Sequence, residues 1–172
     1  MTTERVIMEY RTSLGNSTAQ GNELTGLVTP FNTWTVIGDM SRGGFQERIA
    51  NGAFTATLQQ QDVVLVNSHD TSQPMARMSA GTLQLSEVAN VGLVMRATVA
   101  NTSYGRDVLE LVRAGIVRGM SFGFEVIADD WTDDVGNASD SMRGTQRTIQ
   151  EIRLFEVTTT AFPAYPTTDL QA

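Results

Sequence analysis

The sequence predicts an α+β fold that is mainly β: an antiparallel, barrel-like sheet with a few surrounding helices. Short apolar runs recur along the chain, separated by turns of Gly, Asn, Ser and Pro. Residues 102–114 alone carry clear helical spacing, and the stretch around Phe54 and Leu58 carries a weaker form of it.

Taken in order, residues 4–10 and 24–31 read as two strands joined by a polar loop over 12–22, which contains Gly15, Asn16, Gly21 and Asn22. Residues 33–38 read as a strand, and Ser41-Arg42-Gly43-Gly44 as a turn before residues 45–49. Asn51 is placed to cap a short helix in which Phe54 and Leu58 share a face. Val63-Val64-Leu65-Val66 is a continuous apolar run, as in a strand buried on both faces, and it delivers His69 to its end. A hairpin is expected through 75–79 and 82–86, turned at Gly81, followed by a strand over 91–99. Thr102 or Ser103 caps the best helix, which runs to about Ala114 and stops at Gly115.

That helix leads into a strand over 115–127. Met120, Phe122, Phe124 and Val126 share one parity, whereas Ser121 and Gly123 fall on the other. With Gly119 and Gly123 on either side, the Ser121 face reads as small and open, with room for another backbone to approach. Residues 129–144, rich in Asp, Asn, Ser and Gly, read as a flexible surface loop. Strands over 146–152 and 154–161 complete the fold, and Pro163 and Pro166 end it before a tail over 163–172.

A chain of 172 residues, 41% hydrophobic, fits one domain spanning 1–172. Cysteine is absent, which excludes disulfides, thiolate metal sites and a cysteine nucleophile. One histidine cannot build a histidine-cluster zinc site, so neither metal nor cofactor is expected. Twelve basic against 19 acidic residues give a net charge of -7, which argues against a nucleic-acid binder and favours a protein partner. No apolar run approaches the ~18 residues of a membrane span, and no signal peptide is evident, so a soluble, unexported chain is expected.

The chemistry rests on few residues. His69 stands where a buried strand ends, held rigidly yet able to reach a cleft, and imidazole is the natural general base near neutral pH. A serine hydroxyl needs such a base to become a nucleophile, and a third group must orient the ring. That third group is a carboxylate, a polar side chain or water. Glu156 is the first candidate, because its parity with Ile152 and Leu154 places a charge among apolar residues; Asp70 is the alternative. Arg77, Arg96 and Arg118 are candidates for steadying an oxyanion.

Together, these residues carry a resemblance. Residues 47–54, Asn67-Ser68-His69-Asp70 with Pro74 and Arg77, Gly92-Leu93 and Thr102-Ser103-Tyr104-Gly105-Arg106-Asp107 come first, the last of these with Leu111-Val112-Arg113-Ala114-Gly115. Met120-Ser121-Phe122-Gly123-Phe124, Leu154-Phe155-Glu156-Val157 and Phe162-Pro163-Ala164-Tyr165-Pro166 follow in order. Nearly the whole chain thereby resembles the prohead proteases of tailed bacteriophages. The resemblance implies a serine endopeptidase that cuts the scaffolding part of the major capsid protein, and itself, inside the assembling procapsid in the host cytoplasm. It also implies a fold related to the herpesvirus assembly protease, a likely homo-oligomer, and no nucleic acid or membrane partner. By position, Ser121 matches the nucleophile, His69 the base and Glu156 the acidic position. Two departures stand out: Ser68 is an extra residue between Asn67 and His69 that could shift the ring, and Met75-Ala76-Arg77 replaces the more usual Ile-Gly-Arg. The alternative from a different class is a non-enzymatic scaffold or minor shell component with the same fold.

Overall fold

The computed structural model describes residues 8–13, 18–133 and 145–161. Its elements are β1 (Glu9–Ser13), β2 (Thr18–Gln20), β3 (Glu23–Pro30), β4 (Thr35–Ile37), β5 (Phe45–Ile49), α1 (Thr55–Gln60), β6 (Val64–Asn67) and β7 (Asp70–Arg77). There follow β8 (Leu83–Val88), β9 (Gly92–Thr98), α2 (Ser103–Arg113), β10 (Gly119–Asp133) and β11 (Thr145–Thr160). The mainly β character and the sparse helices agree with the sequence reading, but the sheets do not close into a barrel. Strands β1, β10, β11, β5 and β4 lie side by side in the larger sheet, which β6 and β7 join through β11; β2, β3, β9 and β8 form the smaller one.

The larger sheet is not purely antiparallel. β11 pairs antiparallel with β10, but its other edge pairs in parallel with β5 over Gln146 to Ile149 and with β6 over Glu156 to Thr159. The segment between β5 and β6 crosses the intervening gap and satisfies the edge there. Ile152 donates its N–H to the Ala53 carbonyl at 2.9 Å, and Leu154 donates to Thr57 Oγ1 at 2.8 Å. Thr57 is buried, so its hydroxyl substitutes for a missing ladder partner. Two strands expected over 146–152 and 154–161 are therefore one continuous strand.

Other expectations change for similar reasons. The hairpin expected across Gly81 does not form, because β7 pairs with β6 while β8 pairs with β9 in the other sheet. Asn51 does not cap α1; it bonds Asn90, and the Phe54 N–H is taken instead by Glu87 Oε1 at 3.0 Å. The polar stretch 12–22 contains the end of β1 and the whole of β2, and Asp129 to Asp133 extend β10 instead of opening a loop. Residues 134–144 and the tail from 162 lie outside the described residues. Thr102 does cap α2, accepting from the Gly105 N–H.

One apolar cluster joins the two sheets. Leu24 and Leu93 come from the smaller sheet, Leu65, Phe122 and Leu154 from the larger, and Val108, Leu109 and Val112 from α2. Phe122 stacks on Phe124 at 4.9 Å between ring centroids and meets Phe54 edge-on at 6.0 Å. The apolar parity of β10 is thus its core face, which leaves Ser121 on the opposite one.

β1 is fastened to this sheet by a charge cluster. Glu47, its side chain only 1% exposed, receives Arg11 Nε at 2.6 Å and Arg147 Nη1 at 3.1 Å. Glu9 and Asp129 supply the remaining counter-charges, and carboxylate hydrogen bonds outweigh burial in holding the Arg147 guanidinium above its ordinary range. Truncating one member of a buried ionic set leaves its partners without compensation. Glu47→Ala is therefore expected to lose about 3 kcal/mol, the low end for such a break because Glu9 and Asp129 remain. A drop in the urea midpoint at unchanged slope checks this.

Candidate active site

Three elements converge on the outer face of the larger sheet. β10 supplies Ser121, the turn between β6 and β7 supplies His69, and β11 supplies Glu156. His69 Nε2 lies 2.8 Å from Ser121 Oγ, and His69 Nδ1 lies 2.6 Å from Glu156 Oε1. A carboxylate accepts from Nδ1–H, which leaves the Nε2 lone pair facing the serine hydroxyl. This is the arrangement in which an imidazole can remove the hydroxyl proton.

How Glu156 comes to face Ser121 is a matter of register. Gly123 pairs with Glu156, but the next residue, Phe124, pairs with Leu154, so Phe155 is an extra residue in β11. This bulge breaks the alternation: Leu154 faces the core with Phe124, and Glu156 shares the opposite face with Gly123. The sequence parity that grouped Glu156 with Leu154 therefore fails at Phe155.

The glycine at 123 acquires its reason here. A Cβ at this position would sit 2.7 Å from Glu156 Oε1 and 3.0 Å from Tyr10 Cε1. The space read as room for a substrate backbone is filled by the Glu156 carboxylate. Nor is the Ser121 face open, since Ser121 is fully buried and Glu156 is 6% exposed. Gly123→Ala is expected to displace the carboxylate and lower kcat on the order of a hundredfold, the usual cost of ångström-scale misplacement. Steady-state cleavage kinetics beside a thermal melt would check it.

His69 sits in a strained turn. Asn67 pairs with Asp70, leaving Ser68 and His69 as a two-residue connection with φ of 49° and 61°. Both lie in the left-handed region that such hairpins require and that non-glycine residues seldom enter. Ser68, singled out as an insertion able to shift the ring, completes this turn, and the ring reaches both its partners.

Several contributors were not legible beforehand. The Arg11 carbonyl of β1 lies 2.8 Å from Ser121 Oγ, a second acceptor for the one hydroxyl proton. Tyr10 packs edge-on against the His69 ring at 4.6 Å. Thr158 Oγ1 accepts the His69 N–H at 3.0 Å. None lies in a segment whose composition marks a site.

The competing candidates lie elsewhere. Asp70 is engaged by the hydroxyl and N–H of Ser72 and by Gln73, and the Ser72 hydrogen bonds hold its carboxyl below the usual range. Arg77 pairs with Asp62, and Arg96 with Glu23 in the smaller sheet. Arg118 is exposed just before β10. Among the described residues there is no group of three or more side chains placed to hold a metal ion, and no helix is long and apolar enough to cross a membrane.

Residues 8–172 match the family model for the caudovirus prohead serine protease. The chain belongs to that family. As a prohead serine protease it is a serine peptidase of capsid maturation, and the match spans every element from β1 to β11. No curated protein and no solved structure matches the chain. The likeness to the herpesvirus assembly protease therefore rests on the sequence resemblance alone.

Proposed function

We propose that Ser121, His69 and Glu156 are the nucleophile, general base and orienting acid of an endopeptidase that cuts the scaffolding region of the major capsid protein, and itself, inside the procapsid. The observation that carries this reading is the unbroken hydrogen-bonded chain from Glu156 Oε1 through both imidazole nitrogens to Ser121 Oγ.

In the acylation step Ser121 Oγ attacks the scissile carbonyl carbon while His69 Nε2 takes the hydroxyl proton. The imidazolium so formed is stabilised by Glu156, then passes its proton to the leaving amine as the C–N bond breaks. Water attacks the acyl-enzyme with His69 again as base, which releases the acid product and restores the hydroxyl. Before attack, the Ser121 hydroxyl has to be directed to His69 and not to the Arg11 carbonyl. The non-enzymatic shell component is not taken up, because the family is a peptidase family.

Mass spectrometry of products after mixing the protein with capsid precursor tests the substrate. Discrete fragments that remove the scaffolding segment are expected. An intact precursor, or cuts confined to the mature shell domain, would contradict the assignment.

A further inference from the structure

We propose that Thr158 is a positioning residue that sets the distance between the base and the nucleophile; this deepens the proposed function and rests on its assignment of Ser121 and His69. Ser68 and His69 are consecutive non-glycine residues at positive φ. Such conformations are costly and persist only where surrounding bonds hold them.

Two bonds fasten the turn to β11. Ser68 donates its N–H to the Thr159 carbonyl at 3.1 Å, and His69 donates its N–H to Thr158 Oγ1 at 3.0 Å. The Thr158 hydroxyl donates in turn to the Val66 carbonyl at 3.0 Å. One fully buried hydroxyl thus ties the tip of the turn to the strand that leads into it.

Thr158 is also the β11 partner of Ser121, and on its other edge the partner of Val66. A single residue therefore stands in register with the nucleophile and bonds the backbone of the base. Its β-branched side chain restricts χ1, which keeps Oγ1 aimed at the turn. The triad geometry is in this sense referred to one position on β11. Thr158 itself touches neither the Ser121 hydroxyl nor the imidazole in any recorded hydrogen bond, so its role is exerted through His69.

Replacing Thr158 by the near-isosteric valine removes the acceptor and leaves the His69 N–H unpaired in a part-buried site. The turn can then relax, carrying the imidazole away from Ser121 Oγ. Thr158→Val is expected to lower kcat on the order of 30- to 100-fold with KM within about twofold, because alignment and not substrate affinity is lost. Thr158→Ser, which keeps the hydroxyl, is expected to stay within about threefold of the parent. As the chain has one histidine, a second readout is direct: the Nδ1–H proton resonance of His69 should be lost or shifted in Thr158→Val and retained in Thr158→Ser.

The experiment measures capsid-precursor cleavage and the imidazole resonance for both variants beside Ser121→Ala. A Thr158→Val protein with parental kcat and resonance, alongside an inactive Ser121→Ala, would overturn the role of Thr158 and leave the triad standing. An active Ser121→Ala would overturn the triad reading itself. Should Thr158→Val fail to fold, Thr158→Cys, similar in size but a poor acceptor, decides: reduced kcat supports the proposal and parental kcat overturns it.

Discussion

Ser121→Ala is expected to lose capsid-precursor cleavage by about a million-fold while remaining folded. The substitution removes one oxygen and leaves Cβ, so the pairing of β10 with β1 and β11 is unaffected. Two contacts disappear, those from Ser121 Oγ to His69 Nε2 and to the Arg11 carbonyl. Neither involves a charged partner in the resting state, and a neutral hydrogen bond contributes about 1 kcal/mol. For a chain of this size that is a shift of roughly 2–4 °C in Tm. A large loss of turnover beside a small shift in the melt separates a chemical role for the oxygen from a structural one.

Glu156→Gln is the second large effect, expected on the order of ten-thousand-fold in kcat by comparison with orienting carboxylates in other serine proteases. The argument lies in the two carboxylate oxygens. Oε1 accepts from His69 Nδ1, while Oε2 is buried with no hydrogen-bond partner among the described residues. If the glutamine turns its NH2 toward Nδ1, that nitrogen becomes the acceptor and Nε2 carries the proton. Nε2 then cannot take one from Ser121. If the amide turns the other way, its NH2 occupies the partnerless position and is left unsatisfied, and the imidazolium formed in the reaction loses its counter-charge. Either orientation penalises the step. Cleavage kinetics of Glu156→Gln at saturating precursor test it, and a loss below tenfold would remove Glu156 from the mechanism.

The parts of the site visible in the sequence were those where residue type alone is restrictive. A chain with one histidine, placed after a fully apolar run, offers one base, and a serine between glycines on an otherwise bulky strand is conspicuous. Glu156 was found for a reason that did not hold. Its parity pointed into the core, and only the extra Phe155 turns it to the Ser121 face. A bulge inserts one residue without any compositional mark, so period-two reasoning passes over it.

The same limit applied to Gly123, whose purpose depends on a carboxylate that is 33 positions away in the chain and beside it in the sheet. Parallel pairing was missed because β5 and β6 look like any short apolar strands; what makes them parallel to β11 is the crossing segment whose Ala53 and Thr57 satisfy the gap. Thr158 was invisible for a plainer reason. It is the first of three consecutive threonines, a composition that β-propensity explains without any site.

The central claim is that His69 activates Ser121, and covalent labelling with a serine-directed fluorophosphonate tests it most directly. A single adduct on the peptide containing Ser121 is expected in the parent protein, with labelling abolished in His69→Ala. An adduct on a different serine, or undiminished labelling of Ser121 in His69→Ala, would contradict the account.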